Sequence, residues 1–137
     1  MPGAINATGN IAWEILGDQK LVIAMATGQV GVLDVQAYMD AIVVAGAQHY
    51  RKLFDASEMD FDATDDELML LAARIRAYGS AFGGGPLALV ATRGEAHDWF
   101  RRYLNLADID RPARIFNSRH EALRWLDSLN GDAPAKG

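Results

Sequence analysis

The sequence predicts an α/β domain: a mixed, mostly parallel sheet of about five strands with four helices, in the order ββαβαβαβα. Three observations carry this. An alternating segment and a short apolar run flank Gly17-Asp18, as in a hairpin. Beyond it, short apolar runs alternate with stretches of three- and four-residue periodicity, the pattern of strand-helix-strand crossovers. Two of the helical stretches open with capping boxes.

Ile11, Trp13 and Ile15 alternate with Ala12 and Glu14, and residues 20–27 form the second arm of the hairpin. Gly17 suits the first position of a two-residue loop because it takes positive φ without a Cβ clash. Leu33, Ala37, Ala41, Val44 and Ala45 then recur at helical spacing until Gly46 ends the helix. Residues 50–56 read as a buried strand around Leu53 and Phe54, and the polar stretch 57–63 as a loop. Thr64 caps the second helix with Glu67 as its box partner, and Leu68, Leu71, Ala72, Ile75 and Tyr78 form its buried stripe. Residues 87–92 form a strand, 95–107 a third helix, and 113–116 a short strand. Ser118 caps a last helix with Glu121, and Asn130-Gly131 stops it. Residues 1–10 are expected to be a flexible N-terminus, 11–130 the single domain and 131–137 a flexible tail.

The chain has 137 residues, 50% of them hydrophobic and 23% charged, which suits one domain with one real core. A net charge of −5 argues against nucleic acid as the main partner, which would need a basic surface to displace counterions. The absence of cysteine removes disulfides, thiolate nucleophiles and Cys-ligated metals. The first ten residues lack a basic region followed by an apolar one, and no apolar run is long enough to cross a bilayer. A cytoplasmic protein with no transmembrane segment is the expectation.

Candidate chemistry is sparse. His49, His97 and His120 lie apart, and Glu95, His97 and Asp98 read as an ordinary helix start, so neither metal nor cofactor is expected. Gly83-Gly84-Gly85-Pro86 runs from a helix into a strand, the wrong direction for a phosphate cradle. Ser57, Ser80, Ser118 and Ser128 sit in loop, cap or helix-end positions with no nucleophile elbow, and no catalytic residue is assigned. Asp55 resembles the acceptor aspartate of a response-regulator receiver, but the acidic pair and late lysine of that site are missing. Trp99, Phe100 and Tyr103 share one helix face; with Trp125 they line either plain core or an apolar pocket.

Three segments resemble the SpoIIAA-like branch of the STAS family: Trp13-Glu14-Ile15-Leu16 with Leu21-Val22-Ile23-Ala24; Tyr50-Arg51-Lys52-Leu53-Phe54-Asp55; and Arg114-Ile115-Phe116 with Glu121-Ala122-Leu123-Arg124-Trp125-Leu126. The likeness spans most of residues 11–130, and its motifs are core residues and caps. It implies a STAS sandwich and a binding or regulatory role without intrinsic catalysis. In the anti-sigma-factor antagonists of this fold, a Ser or Thr following the central strand is phosphorylated by a partner kinase; the matching positions here are Thr64 and then Ser57. The antagonists' Asp-Ser-Ser-Gly-type stretch is absent, and Asp65, Asp66 and Glu67 would repel a phosphate on Thr64. A homodimer is expected from the fold analogy alone.

Two functions follow. The first is a protein-interaction module whose partner surface comprises Asp55, Ser57, Glu58, Asp65, Asp66 and Glu67. The alternative is a binder of a small apolar, lipid-like ligand in a pocket formed by Trp99, Tyr103 and Trp125.

Overall fold

The computed structural model describes residues 5–82, 85–91, 98, 100–102 and 112–136. Six strands form one sheet in sequence order: β1 (Ile5–Thr8), β2 (Ile11–Leu16), β3 (Leu21–Val30), β4 (Arg51–Phe61), β5 (Leu87–Val90) and β6 (Ala113–Phe116). The first three strands pair antiparallel, and β3 through β6 pair parallel. Helix α1 (Val32–Val44) joins β3 to β4, α2 (Asp65–Phe82) joins β4 to β5, and α3 (Arg119–Lys136) follows β6. Asp98 and residues 100–102 are also helical, between β5 and β6. The remainder of the expected third helix, with Trp99 and Tyr103, lies outside the described residues.

The fold is the mixed α/β sandwich expected, with local corrections. There are six strands rather than about five, because β1 pairs along β2 through the two-residue turn Gly9-Asn10, with Gly9 at φ 57. Ile5-Asn6-Ala7-Thr8 is only four residues long and mostly exposed, so its ladder with β2 is what marks it as a strand. The β2–β3 turn spans four residues, from Leu16 to Leu21, and its positive φ falls on Lys20 instead of Gly17. Helix α3 continues to Lys136, past Asn130-Gly131.

Helix ends follow the sequence closely. Asp34 accepts the Gly31 N–H at 3.0 Å and starts α1. At its other end Gly46, at φ 73, donates to Val43 O while Ala47 donates to Ile42 O, a Schellman closure.

The sheet separates two apolar layers. On one face Ile11, Trp13, Val22, Ala24, Phe54, Ala56, Met59 and Leu89 pack against Tyr38 and Ile42 of α1 and against Phe100. On the other, Leu21, Leu53, Ala88 and Val90 meet Ala122 and Leu126 of α3. Leu68, Leu71 and Ala72 of α2 are buried, and the outer sides of α1 and α2 are joined by the Asp40–Arg74 ion pair at 3.7 Å.

β4 is where sequence and structure differ most. Residues 57–61, expected as loop, extend the strand. Between Asp55 and Glu58 this strand advances three residues while β3 advances two, from Met25 to Thr27, so β4 carries a bulge. The bulge changes the inward-facing set from Phe54 and Ala56 to Met59 and Phe61, keeping all four on the α1 side. A strictly alternating template therefore loses the strand at Ser57.

Gly85, from the Gly-rich connector, fits where no side chain would. A Cβ there would lie 2.1 Å from Tyr50 O and 2.5 Å from His49 O. Gly85→Ala is expected to destabilise the fold by about 1–3 kcal/mol through forced backbone displacement. The urea-unfolding midpoint checks this, with an unchanged m-value showing that the unfolding transition itself is preserved.

Candidate functional site

Arg51, Leu53 and Asp55 alternate along β4 toward the α3 side of the sheet, and all three are buried. A buried cation or anion must be paired or hydrogen-bonded to persist. The Arg51 guanidinium donates to Leu126 O at 2.9 Å and to Gln19 O at 2.7 Å, and lies 3.7 Å from Asp127. The Asp55 carboxylate divides its oxygens. Oδ1 accepts from the Ser57 N–H at 3.0 Å and the Ser57 hydroxyl at 2.7 Å. Oδ2 accepts from Arg119 Nε at 3.2 Å and Nη2 at 3.0 Å.

The two contacts match in length. Four strand residues from Arg51 to Asp55 cover roughly 13 Å, and seven helical residues from Arg119 to Leu126 cover roughly 10 Å. β4 thus grips α3 at its first turn and again two turns later. Asp55 lies beside Val90, the last residue of β5, and β6 ends at Phe116, just before the Ser118 cap.

Asp55 is only 5% exposed. Burial pushes its carboxyl up, but the hydrogen bonds from the Ser57 side chain and backbone, with the bonds and charge of Arg119, outweigh this and hold it below the ordinary carboxylate value. It is therefore an ionised acceptor with both oxygens engaged, suited to holding structure more than to exchanging protons. Among the described residues, no three His, Cys, Asp or Glu side chains lie close enough to hold a metal ion.

The expected partner surface divides in two. Asp55 and Ser57 turn inward as described, and Ser57 and Glu58 belong to β4 rather than to a loop. Glu58, Asp65, Asp66 and Glu67 are exposed, with Asp60 and Asp62 exposed between them. Thr64 is exposed and forms the expected capping box: its N–H donates to Glu67 Oε1 at 2.8 Å, and its hydroxyl accepts from the Glu67 N–H at 3.1 Å. Arg102 ion-pairs with Asp65 and brings a cation to this acidic turn.

The aromatic groups are distributed differently from the expected pocket. Trp125 packs on Phe116 with ring centroids 5.6 Å apart, under the Arg114 guanidinium, on the α3 face. Phe100 is on the opposite face, at the end of an edge-to-face row of Trp13, Tyr38, Phe54 and Phe100 with centroid spacings of 5.3, 5.6 and 6.5 Å. Trp99 and Tyr103 lie outside the described residues, so what is described does not gather this group around one cavity.

Arg119 was missed from sequence because its partner is 64 residues away. The available signal was chemical. An aspartate in a buried strand demands a cation, and an Arg at the first turn of a helix following a parallel strand of the same sheet can supply it.

The pH dependence follows from the sign of the Asp55 shift. Its carboxyl is lower in the folded chain than in the unfolded one, so its stabilisation is complete above the unfolded value. That contribution is lost as pH falls through the lowered folded value. The urea midpoint of the natural chain is expected to drop on acidification below about pH 5. Asp55→Asn should start lower at neutral pH and show a shallower decline; parallel pH profiles would refute the assignment. Arg119→Ala should cost about 1 kcal/mol, since Arg119 is partly exposed and Ser57 still satisfies Oδ1.

No family model matches the chain, and no curated protein matches it. Among solved structures it is similar to an uncharacterized protein of the DUF3478 family with a SpoIIAA-like fold from Shewanella loihica PV-4. The two share 18% identity and superpose with a TM-score of 0.54, over 92% of this chain and 95% of the other. At that identity the likeness speaks for architecture alone: the chain has a SpoIIAA-like fold.

Proposed function

We propose that the chain is a non-catalytic regulatory or protein-interaction module of the STAS type, which docks a partner of basic surface at the outer end of β4 and the first turn of α2. One observation carries this reading. Glu58, Asp60, Asp62, Asp65, Asp66 and Glu67 place six exposed acids within ten residues across the junction of a strand and a helix. Such a run steers and orients a cationic partner far more than it stabilises the fold. The SpoIIAA-like fold supports the reading as architecture. The inward Asp55 and Ser57 hold the surface in place without taking part in contact.

Thr64 is the phosphorylation position within this surface in the same reading. Its exposed hydroxyl caps a helix whose N-terminus favours an anion, and Arg102 partly offsets the neighbouring acids. Ser57 is the weaker position, because a phosphate there would lie against the Asp55 carboxylate.

The test is a pull-down from the source cells with the natural chain and with the charge-reversed D60K/D62K/D66K variant. A partner retained by the first and lost, or strongly reduced, with the second is expected, and the interaction should weaken with added salt. Equal retention by both overturns the surface. Intact-mass analysis of protein from those cells should show a phosphoform that Thr64→Ala removes.

A further inference from the structure

The outer stripe of α1 has the wrong residues for a helix that faces water. Val32, Tyr38 and Ile42 are buried, so positions 33, 37, 40 and 44 point away from the sheet, and all four are exposed. Three are apolar: Leu33 at 79% exposure, Ala37, and Val44 at 87%. A surface helix ordinarily carries polar and charged residues there. α2 repeats the departure. Leu68, Leu71 and Ala72 turn inward, while Leu70, at 67% exposure, and Ala73 and Ala77 turn outward.

The Asp40–Arg74 ion pair joins the two stripes. Successive right-handed crossovers run α1 and α2 in the same direction. One turn before the pair, Ala37 therefore comes level with Leu70; one turn after it, Val44 comes level with Ala77. The described residues form one apolar face with a single ion pair near its middle.

We propose that this α1–α2 face is a homodimer interface, made with a second copy of the chain about a two-fold axis near the Asp40–Arg74 pair. Charge favours a second copy over other occupants. The chain as a whole carries −5, which opposes self-association through most of its surface. Within this face Asp40 and Arg74 neutralise each other, with Arg76 at the rim. A two-fold axis there brings Asp40 of each copy toward Arg74 of the other, the self-complementary arrangement that an isologous contact requires. A lipid surface fits less well, because α1 contains no Lys or Arg to meet anionic headgroups. Thirteen helical residues make the face about 20 Å long. At two helices wide it falls toward the small end of specific interfaces, so a reversible, concentration-dependent dimer is expected.

Sedimentation equilibrium over a concentration series tests this with the natural chain, V44R, L70R, D40R and D40R/R74D. All altered side chains are exposed, and unchanged melting curves verify folding. The natural chain should show a monomer–dimer equilibrium, with V44R and L70R weakening it roughly tenfold or more. D40R should weaken it too, and D40R/R74D should recover it by restoring opposite charges. A natural chain that stays monomeric to its highest soluble concentration overturns the proposal, as does a dimer indifferent to V44R and L70R. Monomeric protein that co-pellets with phosphatidylcholine–phosphatidylglycerol vesicles, and loses this with L70R, would assign the face to lipid instead.

Discussion

The arrangement of both helix layers depends on the β4 bulge between Asp55 and Glu58. β4 is the strand buried from both sides: its Phe54, Ala56, Met59 and Phe61 meet the α1 layer, and Arg51, Leu53 and Asp55 meet α3. A regular strand would turn Met59 and Phe61 toward the wrong face, because its side-chain period is two. One extra residue corrects the phase. Asp55 is the natural holder of that residue, since its Oδ1 accepts both the backbone and the side chain of Ser57. The other oxygen, bound to Arg119, ties the corrected strand to the start of α3. The same carboxylate thus fixes a backbone irregularity and the docking of a helix.

The two buried cations of β4 are tolerable for one shared reason: backbone carbonyls accept their hydrogen bonds. Arg51 meets carbonyls of the β2–β3 turn and of α3, and Lys52 Nζ meets the Gln48 and Tyr50 carbonyls in the approach to the strand. Backbone acceptors cost no side-chain entropy to position, unlike a flexible carboxylate. Gly85 belongs to the same region, where the chain entering β5 presses against Tyr50 O. The start of β4 is therefore a crowded polar junction.

Local signals in the sequence carried most of the architecture. The β2 and β3 arms, the Thr64–Glu67 box, the Ser118 cap and the Gly46 stop each depend on residues within five positions of one another, and each recurs in the structure. What escaped depends on distant partners or broken periodicity. β1 is too short and too exposed to stand out, the end of β4 loses its alternation at the bulge, and Arg119 is recognisable only once β4 and α3 are adjacent. The candidate site divides along the same line. Glu58, Asp65, Asp66 and Glu67 were readable as acids of one surface, whereas Asp60, Asp62 and the inward roles of Asp55 and Ser57 required the fold.

The acidic run is longer than helix stability alone would select. Asp65, Asp66 and Glu67 have a sufficient local explanation, because they occupy the first turn of α2, where the helix dipole favours anions and Glu67 completes the cap. Glu58, Asp60 and Asp62 have none of that kind. On the outward side of a strand and the connection after it, alternation asks only for polarity, and Ser, Thr or Lys would serve equally well. Placing three more acids immediately before three that already repel one another raises the local electrostatic cost. Among the described residues, Arg102 relieves it at Asp65. In the reading proposed above, that local cost is the counterpart of a surface whose field attracts a cationic partner.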